Sequence, residues 1–435
     1  MVNPTSAPAD DRCPGVLHAL KARDGLLVRV RVPGGMLPLA HLRSLADFAE
    51  RFGDGRIDIT ARANIQLRGI APDRFSAFAQ TVSSTDLLPS ASHDRARNIV
   101  TSPFAGVDSR ELLDSRPLVR ELDERLSADP HLIGLPSKFL FAIDGGARPF
   151  NADGADLALH AVATSEGIRF HLAIGGRLSG FGVTADSAGA ALIDAARAAL
   201  SFAELVGAPQ RSWRLRKLPG AHAEVLKVLG SQLRACPTPK NSMIVATIPP
   251  GIHSAHHPDF VNVVPSIPLG RLEAREARAI ADLAERIGAD LRLASWRGIV
   301  LGAVPRRLLP ETSAELERLR LTLDDSAGYA GIAACAGIEG CTAALADVRS
   351  DASKLAHRLA RLRQSTNAEA RADWTVNFAA CDKRCAMRRG ASVEFVATQT
   401  GYDVSVNGLR VRAAATAEDA LEIAATEYSF PKIPA

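Results

Sequence analysis

The sequence predicts an α+β fold that is built from an internal duplication. Residues 45–53 (LADFAERFG) return as residues 280–288 (IADLAERIG), about half a chain later. A longer segment with both helical and strand periodicity follows each copy. Because the two copies are much too far apart for a solenoid, we interpret the pattern as duplication of a whole α+β unit. The predicted order of units is A-B-A′-B′.

Each copy reads as one helix followed by two strands. In the first copy, apolar residues recur on one helical face, Gly53 ends the helix, and apolar residues then alternate with polar ones. The second copy repeats the pattern. The apolar positions are Leu42, Leu45, Ala49 and Phe52 (helix) with Ile57, Ile59, Ile65 and Leu67 (strands), and then Ile280, Leu283 and Ile287 with Leu291, Leu293, Ile299 and Leu301.

The B segments carry their own elements. Residues 139–143 and 168–174 read as strands and 187–205 as an alanine-rich helix. In the C-terminal segment, 353–362 reads as a helix and 393–397 and 402–406 as strands. Residues 249–258 read as a linker between the halves. The expected units are 1–78, 79–248, 249–310 and 311–435.

Composition limits the function classes. The chain has 435 residues, 47% of them apolar, and a formal charge of only +4, which does not predict binding to nucleic acid or to a membrane surface. Residues 1–11 lack the basic and apolar regions of a signal peptide. No apolar run is long enough to span a bilayer. We therefore expect a cytoplasmic protein, in which cysteines are more often ligands than disulfides.

Four of the six cysteines form two pairs near the C-terminus. Five residues separate Cys335 from Cys341, and three separate Cys381 from Cys385. Four soft thiolates bind zinc or an iron–sulfur cluster. Structural zinc sites favour two to four residues within a pair, so the wider first pair favours the cluster. Cys13 and Cys236 each precede a proline without a partner at ligand spacing, and we interpret both as thiols outside this site.

Four short motifs, in the same order along the chain, resemble the nitrite and sulfite reductase family. Residues 29–35 (RVRVPGG) resemble its Arg-x-Arg-x-Pro-Gly-Gly, and residues 60–66 (TARANIQ) its Thr-x-Arg-Gln-x-x-Gln. Residues 97–98 resemble its Arg-Asn pair, and residues 135–139 (LPSKF) its Leu-Pro-x-Lys-Phe. The cysteine pairs have the family's spacing.

The resemblance implies a fold and a set of site residues. Two ferredoxin-like units would alternate with two larger α+β units around a tetrapyrrole, and the four cysteines would ligate a 4Fe-4S cluster. Arg29, Arg97 and Lys138 would correspond to the cations with which the reductases bind a small oxyanion. Cys385 would correspond to the cysteine that also bridges to siroheme iron.

Several residues depart from the reductase pattern. The second lysine of sulfite reductases is Leu140, the glutamine of Thr-x-Arg-Gln is Ala63, and the asparagine-rich motif near the last cysteines is residues 382–384 (DKR). These departures are similar to the precorrin-3B synthase branch of the family. That similarity implies oxygen-dependent hydroxylation of precorrin-3A, with closure of a lactone, in aerobic cobalamin biosynthesis.

The charges of the motifs fit an anionic tetrapyrrole. Guanidinium groups bind carboxylates bidentately, so Arg29, Arg62, Arg97 and Lys138 are the expected substrate-binding and catalytic residues. Arg31 and Arg68 have the alternative of ordinary surface positions. Further candidates from the same motifs and their flanks are Arg31, Asn64, Gln66, Arg68 and Leu140.

The remaining predictions concern cofactors and partners. No glycine-rich dinucleotide motif opens a helix after a strand, so we expect electrons from an external ferredoxin or reductase, with dioxygen as co-substrate. His253, His256 and His257 beside Asp259 are of the type that ligates mononuclear iron, although a polar linker is the favoured interpretation. The alternatives are a nitrite or sulfite reductase with bound siroheme and a non-enzymatic zinc or iron–sulfur module. The internal pseudo-symmetry allows a monomer.

Overall fold

The computed structural model describes residues 13–429, apart from 148–149, 151–153, 240–247, 367–373 and 387–390. Residues 1–11, for which we expect no signal peptide, lie outside this range. The helices of the described residues are α1 Leu39–Phe52, α2 Phe75–Ser83, α3 Arg116–Ala128, α4 Ala188–Leu205, α5 Ala221–Leu229, α6 Ala274–Ile287, α7 Leu309–Arg318, α8 Gly337–Gly340, α9 Val348–Thr366 and α10 Ala417–Ser429.

The strands of the first half belong to the first A unit and the first B segment. They are β1 Leu20–Ala22, β2 Gly25–Val30, β3 Arg56–Ile59, β4 Ile65–Ile70, β5 Ile99–Thr101, β6 Phe141–Asp144, β7 Leu157–Thr164, β8 Gly167–Ile174, β9 Arg177–Thr184 and β10 Arg234–Ala235.

The strands of the second half follow the same plan. They are β11 Gly251–Ser254, β12 Phe260–Val264, β13 Arg271–Glu273, β14 Asp290–Ala294, β15 Gly298–Pro305, β16 Ile332–Ala334, β17 Val376–Ala379, β18 Val393–Thr398, β19 Gly401–Val406 and β20 Leu409–Ala415. The helices and strands that the sequence predicts are all present, with ends that differ by a few residues.

Four sheets confirm the predicted duplication. The two A units form antiparallel sheets in the orders β1-β2-β4-β3-β13 and β11-β12-β15-β14. The two B units form mixed sheets, β10-β9-β8-β7-β6-β5 and β16-β17-β18-β19-β20, each with three consecutive parallel strands. Strand β13 of the second half completes the sheet of the first A unit, so the two halves are interleaved.

The two A units share one hydrophobic core, whereas each B unit has its own. Helices α1 and α6, the two copies of the repeated stretch, pack against each other in the shared core. The backbone of Gly35 approaches the second unit so closely that a Cβ there would lie 2.3 Å from the carbonyl oxygen of Leu293. Only glycine fits that position.

The predicted linker at 249–258 is wrong in part. Gly251–Ser254 forms β11, which pairs along its length with β12. Because β11 is an edge strand with one side towards solvent, its polar sequence gives little sign of a strand. The expected unit boundaries at 78–79 and 310–311 fall inside α2 and α7.

Candidate active site

The two cysteine pairs meet because they follow neighbouring parallel strands. Cys335 comes directly after β16, and Cys381 comes two residues after the end of β17, its parallel partner. The backbone N–H of Cys335 donates to Phe378 O (3.1 Å), and that of Ala380 donates to Cys335 Sγ (3.3 Å). Parallel strands end at the same edge of a sheet, so this pairing fixes the two halves of the quartet side by side.

Cys341 and Cys385 complete the group from the turns that follow. Cys341 lies just after α8, and its N–H donates to Gly337 O (3.0 Å). The pKa of Cys385 is raised, because desolvation and repulsion from Cys335, Cys381 and Cys341 disfavour its thiolate, with Lys138 opposing them. The three other thiols are therefore near enough to Cys385 to disfavour its thiolate, which is consistent with one common site.

This donor set fits an iron–sulfur cluster. Four thiols converge, and one of them already accepts a backbone N–H, which is an interaction that tunes cluster sulfurs. Cys385 is also the most exposed of the four, and it lies on the wall of a neighbouring cavity. A group held by these cysteines would therefore face that cavity.

The cavity next to the cysteines has a volume of about 290 Å³ and a strongly basic lining. It lies between the hairpin of β3 and β4, the loop that carries Lys138, and the turn after β16. Its charged and thiol-bearing lining residues are Cys13, Arg29, Asp58, Arg62, Arg68, Lys138, Arg297, Cys335, Arg349 and Cys385.

The cations of this cavity outnumber its anions. Asp58 is the one carboxylate among the described lining residues, and Arg271 (2.7 and 3.1 Å) and Arg349 (3.3 Å) already bind it. The buried Nε atoms of Arg29, Arg297 and Arg349 have no hydrogen-bond partner within the described part of the chain. Buried donors without acceptors indicate a place for an anionic ligand.

The pKa values of two lining arginines reflect the same imbalance. Burial, assisted by repulsion from Arg214, Arg29 and Arg31, lowers the pKa of Arg62 to about 10. Burial lowers that of Arg349 to about 10 as well, against the attraction of Asp58. Both groups remain charged at neutral pH, and an anion that entered the cavity would relieve their repulsion.

Two buried asparagines tie the four sequence motifs together. Asn64 accepts from the backbone N–H of Val32 (2.9 Å) and donates to Asn98 Oδ1 (3.3 Å). Asn98 in turn donates to Ser137 O (2.8 Å). These hydrogen bonds join all four motifs. Asn64 is not among the residues that line the cavity, so its role is to hold the motifs together.

Arg29, Gln66 and Arg68 lie on paired strands at the cavity wall. Arg29 donates to the Gln66 side chain across the β2–β4 pair. Arg68 pairs with Asp24 (2.8 and 3.2 Å) and donates to Gly340 O, next to Cys341. Arg68 therefore connects the first A unit to the cysteine turn. The surface interpretation of Arg31 and Arg68 is wrong, because only 4% and 5% of them are exposed.

Arg97 does not line this cavity. Its guanidinium forms a bidentate pair with Asp123 (2.7 and 2.6 Å) and borders a separate cavity of about 510 Å³. Arg31 borders that second cavity, although its Nη2 also lies 3.8 Å from Cys13 Sγ. Of the expected cation group, the structure brings together Arg29, Arg62 and Lys138, but not Arg97.

Leu140 lies in a small apolar cluster and is 2% exposed. It packs with Val100, Ala142 and Phe150 and is not among the residues that line the cavity. The position at which the family resemblance expects a second lysine is thus part of the core.

Of the charged and thiol-bearing lining residues, the sequence analysis did not predict Cys13, Asp58, Arg297 and Arg349. Arg297 could have been found, because it lies in the second copy at the turn that corresponds to the Thr-x-Arg motif of the first. Cys13 has no partner at ligand spacing, and Arg349 lies in no repeated motif, so only the fold brings them to the site.

The histidines of 253–257 do not meet. His253 Nε2 is 3.0 Å from Pro249 O, whereas His257 lies on the surface beside Asp259 (3.6 Å). Among the described residues, no three His, Cys, Asp or Glu side chains approach closely enough to hold a single metal ion, and this includes the cysteine quartet. A 4Fe-4S cluster needs a wider spacing, because each of its four thiolates binds a different iron. No helix in the described ranges is long and apolar enough to cross a membrane.

Family models match a large part of the chain. The nitrite/sulfite reductase ferredoxin-like half domain matches residues 18–82 and again 253–319, which are the two A units. The nitrite and sulphite reductase 4Fe-4S domain matches residues 92–220. That range contains no cysteine, so the quartet lies in the second B segment, outside the matched residues.

Named relatives come from the same family. The chain is 30% identical to a precorrin-3B synthase of a Sinorhizobium species, over 91% of this chain and 82% of that protein. It is 27% identical to the ferredoxin–nitrite reductase of Synechococcus elongatus (77% and 69% covered) and to a ferredoxin-dependent sulfite reductase of Mycobacterium tuberculosis (88% and 72%).

A solved structure has the same fold. The NirA protein of Mycobacterium tuberculosis superposes with a TM-score of 0.75 at 24% identity, covering 88% of this chain and 75% of that one. This similarity confirms the predicted arrangement of alternating ferredoxin-like and larger α+β units.

Proposed function

The chain belongs to the nitrite and sulfite reductase family, and we propose that within this family it is a precorrin-3B synthase. In this reaction, precorrin-3A would be hydroxylated with oxygen from dioxygen and closed to a lactone. The relative of that name covers 91% of the chain. Oxidoreductase chemistry and a 4Fe-4S cluster follow from the family; the substrate and the oxygen are the proposal.

The observation that carries the proposal is that two positions expected to bind a small oxyanion do not line the cavity, although the cavity itself is basic. Arg97 is engaged by Asp123, and Leu140 is in the core. Arg29, Arg62 and Lys138 still line the cavity, with Arg297 and Arg349 added. Cations spread along a wall suit a macrocycle with several carboxylates better than one compact oxyanion.

In the proposed site, this chain's residues bind and orient the substrate. Arg29, Arg62 and Lys138 would bind carboxylate arms on one side of the cavity, and Arg297 and Arg349 on the side of β16. The lining supplies fixed N–H donors, which cost no reorganisation when negative charge develops. Gln66 would hold Arg29 in its orientation through their hydrogen bond.

We assign Cys335, Cys341, Cys381 and Cys385 as ligands of the 4Fe-4S cluster. When bound, such a cluster supplies electrons one at a time. The wall position of Cys385 would bring the electrons to the cavity edge. Ferredoxin-dependent reductases among the relatives support an external ferredoxin as donor.

One experiment tests the proposal directly. The protein, purified without oxygen and with its cluster intact, is incubated with precorrin-3A, reduced ferredoxin and ¹⁸O₂, and the product is analysed by mass spectrometry. We expect a product that carries labelled oxygen. Unchanged precorrin-3A, together with turnover of nitrite or sulfite, would overturn the proposal.

A siroheme-dependent nitrite or sulfite reductase is the second candidate. The exposure of Cys385 to the cavity favours it, since a thiolate there could face a bound metallo-tetrapyrrole. Strong siroheme absorption of the purified protein, with reduction of nitrite or sulfite by reduced methyl viologen, would support this alternative.

A further inference from the structure

We propose that Cys13 is a reactive thiolate on the cavity wall and a site of covalent modification by soft electrophiles. Its Sγ accepts from Arg29 Nη1 (3.2 Å) and lies 3.8 Å from Arg31 Nη2. The residue is 5% exposed, and it lines the cavity that also contains Cys385. This role belongs neither to the cluster nor to the proposed reaction.

The backbone after Cys13 is held firmly against the first B unit. Asp94 accepts the N–H groups of Val16 and Leu17, both at 2.9 Å. The N–H of Arg29 donates to Gly15 O (3.0 Å). A Cβ on Gly15 would lie 2.1 Å from Asp94 Oδ2, so a residue with a side chain would collide with the carboxylate at this position. These contacts fix the thiol beside the guanidinium groups.

Arg31 gives independent evidence that an anion belongs here. Only 4% of this residue is exposed, and its Nε and Nη1 have no hydrogen-bond partner among the described residues. A buried guanidinium is unfavourable unless negative charge lies near it. Cys13, followed by Asp94, is the group that favours the charged form of Arg31. The thiolate of Cys13 supplies such charge.

The electrostatics of the thiol follow from this geometry. Burial opposes its ionisation, but Arg29 and Arg31, helped by a hydrogen bond with Ser137 and by Arg62, outweigh burial. The pKa of Cys13 therefore lies below the ordinary value for a thiol. Nearby arginines activate cysteines in this way because the thiolate is the nucleophile.

Cys236 provides an internal comparison. It is 8% exposed, similar to Cys13, but it packs against Gly182 at the edge of the first B sheet. Burial raises its pKa, with only Arg169 opposing. The two cysteines outside the quartet therefore have similar exposure and opposite electrostatic environments.

The chemistry is a simple displacement. The Cys13 thiolate attacks the methylene carbon of iodoacetamide, a carbon–sulfur bond forms, and iodide leaves with the electron pair of the carbon–iodine bond. No proton or external oxidant is required. The rate at a given pH depends on the thiolate fraction and on access through the cavity.

Alkylation of the oxygen-free holoprotein tests the assignment. Samples are treated with iodoacetamide between pH 6 and 9.5, quenched and digested, and the Cys13 and Cys236 peptides are quantified by mass spectrometry. At pH 7 we expect Cys13 to react about tenfold faster than Cys236. Arg29→Gln should slow Cys13 by at least about threefold and leave Cys236 unchanged.

Arg125→Gln, on the exposed face of α3, is the matched control and should change neither rate. The Cys236 rate in each sample reports whether the variant is folded. Equal rates for the two cysteines at pH 7, or a Cys13 rate that is unaffected by Arg29→Gln in a folded variant, would overturn the proposal.

Discussion

The two ferredoxin-like units share backbone details but differ in the side chains of their inner strands. Pro33–Gly35 and Pro268–Gly270 both form a 3₁₀ turn in which the second and third residues have positive φ, 64° and 69° in one copy and 51° and 69° in the other. The β3–β4 and β14–β15 turns likewise have positive φ at Ala63 (53°) and Arg297 (68°). The duplication has preserved the positive φ at each of these positions.

The side chains at equivalent positions have opposite character. In the first copy Arg29 pairs with Gln66 across β2 and β4, and both line the basic cavity. Four residues before the second 3₁₀ turn lies Val264, and three after Arg297 lies Val300. These valines are buried in a cluster with Phe104, Val107 and, at its edge, Trp296. The first copy, which we call the open copy, keeps a cavity of about 290 Å³. The second, which we call the filled copy, keeps only about 40 Å³ beside Val264 and Trp296.

The two B units also differ in the side chains that follow their equivalent strands β5 and β16. Cys335 follows β16 and faces the cavity, whereas β5, the equivalent strand of the first half, is followed by Ser102, with Phe104 in the filled cluster. A repeated backbone therefore provides two equivalent surfaces, and a few side chains determine which of them is a site.

We expect the largest effect on stability when the filled copy receives the arginine that the open copy has at the equivalent position. Val264→Arg would place a guanidinium at a position that is 1% exposed and apolar. We expect a loss of about 3–5 kcal/mol in the free energy of unfolding, because the charge has no partner there. Urea denaturation measures it.

The reverse exchange is the matched control. Arg29→Val removes one cation from a crowded basic wall, so its cost in unfolding free energy should stay below about 1 kcal/mol. Equal destabilisation by the two exchanges would mean that the copies do not differ as described.

Leu140→Lys tests the departure from the reductase pattern. The lysine would enter an apolar cluster, and we expect destabilisation of about 2–4 kcal/mol together with impaired turnover of precorrin-3A. Leu140→Met, which keeps the volume, should cost less than about 1.5 kcal/mol. Unchanged or improved synthase activity in Leu140→Lys would contradict our interpretation of this position.

Asn64 supports the open copy, and its equivalent in the filled copy is Gly298, which has no side chain. Asn64→Ala would remove the hydrogen bonds to Val32 and Asn98 and leave buried partners unsatisfied. We expect a loss of about 1–3 kcal/mol, measured by thermal unfolding, with exposed Gln232→Ala as a near-neutral control. A neutral Asn64→Ala would show that the motifs do not depend on this link.

The two copies also differ at Asp58, whose equivalent in the second copy is Arg292. Because Asp58 is a buried carboxylate, its contribution to stability should depend on pH. Burial opposes ionisation of Asp58, but Arg349 and Arg271 outweigh burial and hold its pKa below the ordinary range. A lowered folded-state pKa adds stability above the unfolded-state value of about 3.9, and this stability is lost as pH falls through the folded-state value.

The stability advantage of the wild type over Asp58→Asn should therefore be largest above about pH 5 and shrink towards pH 3. Urea denaturation at a series of pH values measures this difference. A difference that does not change with pH would contradict the ion-pair account.

The duplication and the cysteine quartet could be predicted from the sequence, because each depends on the spacing of residues within a short stretch of chain. The helical repeat at 45–53 and 280–288 became α1 and α6, and the cysteine pairs lie beside one basic cavity. Other features depend on partners that are distant in sequence. Arg97 pairs with Asp123, and Arg349, which lies in α9, binds Asp58. Cys13 accepts from Arg29, and Asp94 accepts the backbone N–H of Val16 in the segment that follows Cys13.

The central claim is that the cavity of the first copy binds a carboxylate-rich tetrapyrrole. Titration of the oxygen-free holoprotein with uroporphyrin, followed by fluorescence, tests it with wild type, Arg29→Val and Arg125→Gln. We predict that Arg29→Val weakens binding by about tenfold or more, that Arg125→Gln leaves it unchanged, and that added salt weakens binding to the wild type. Equal affinity in all three proteins would contradict the claim.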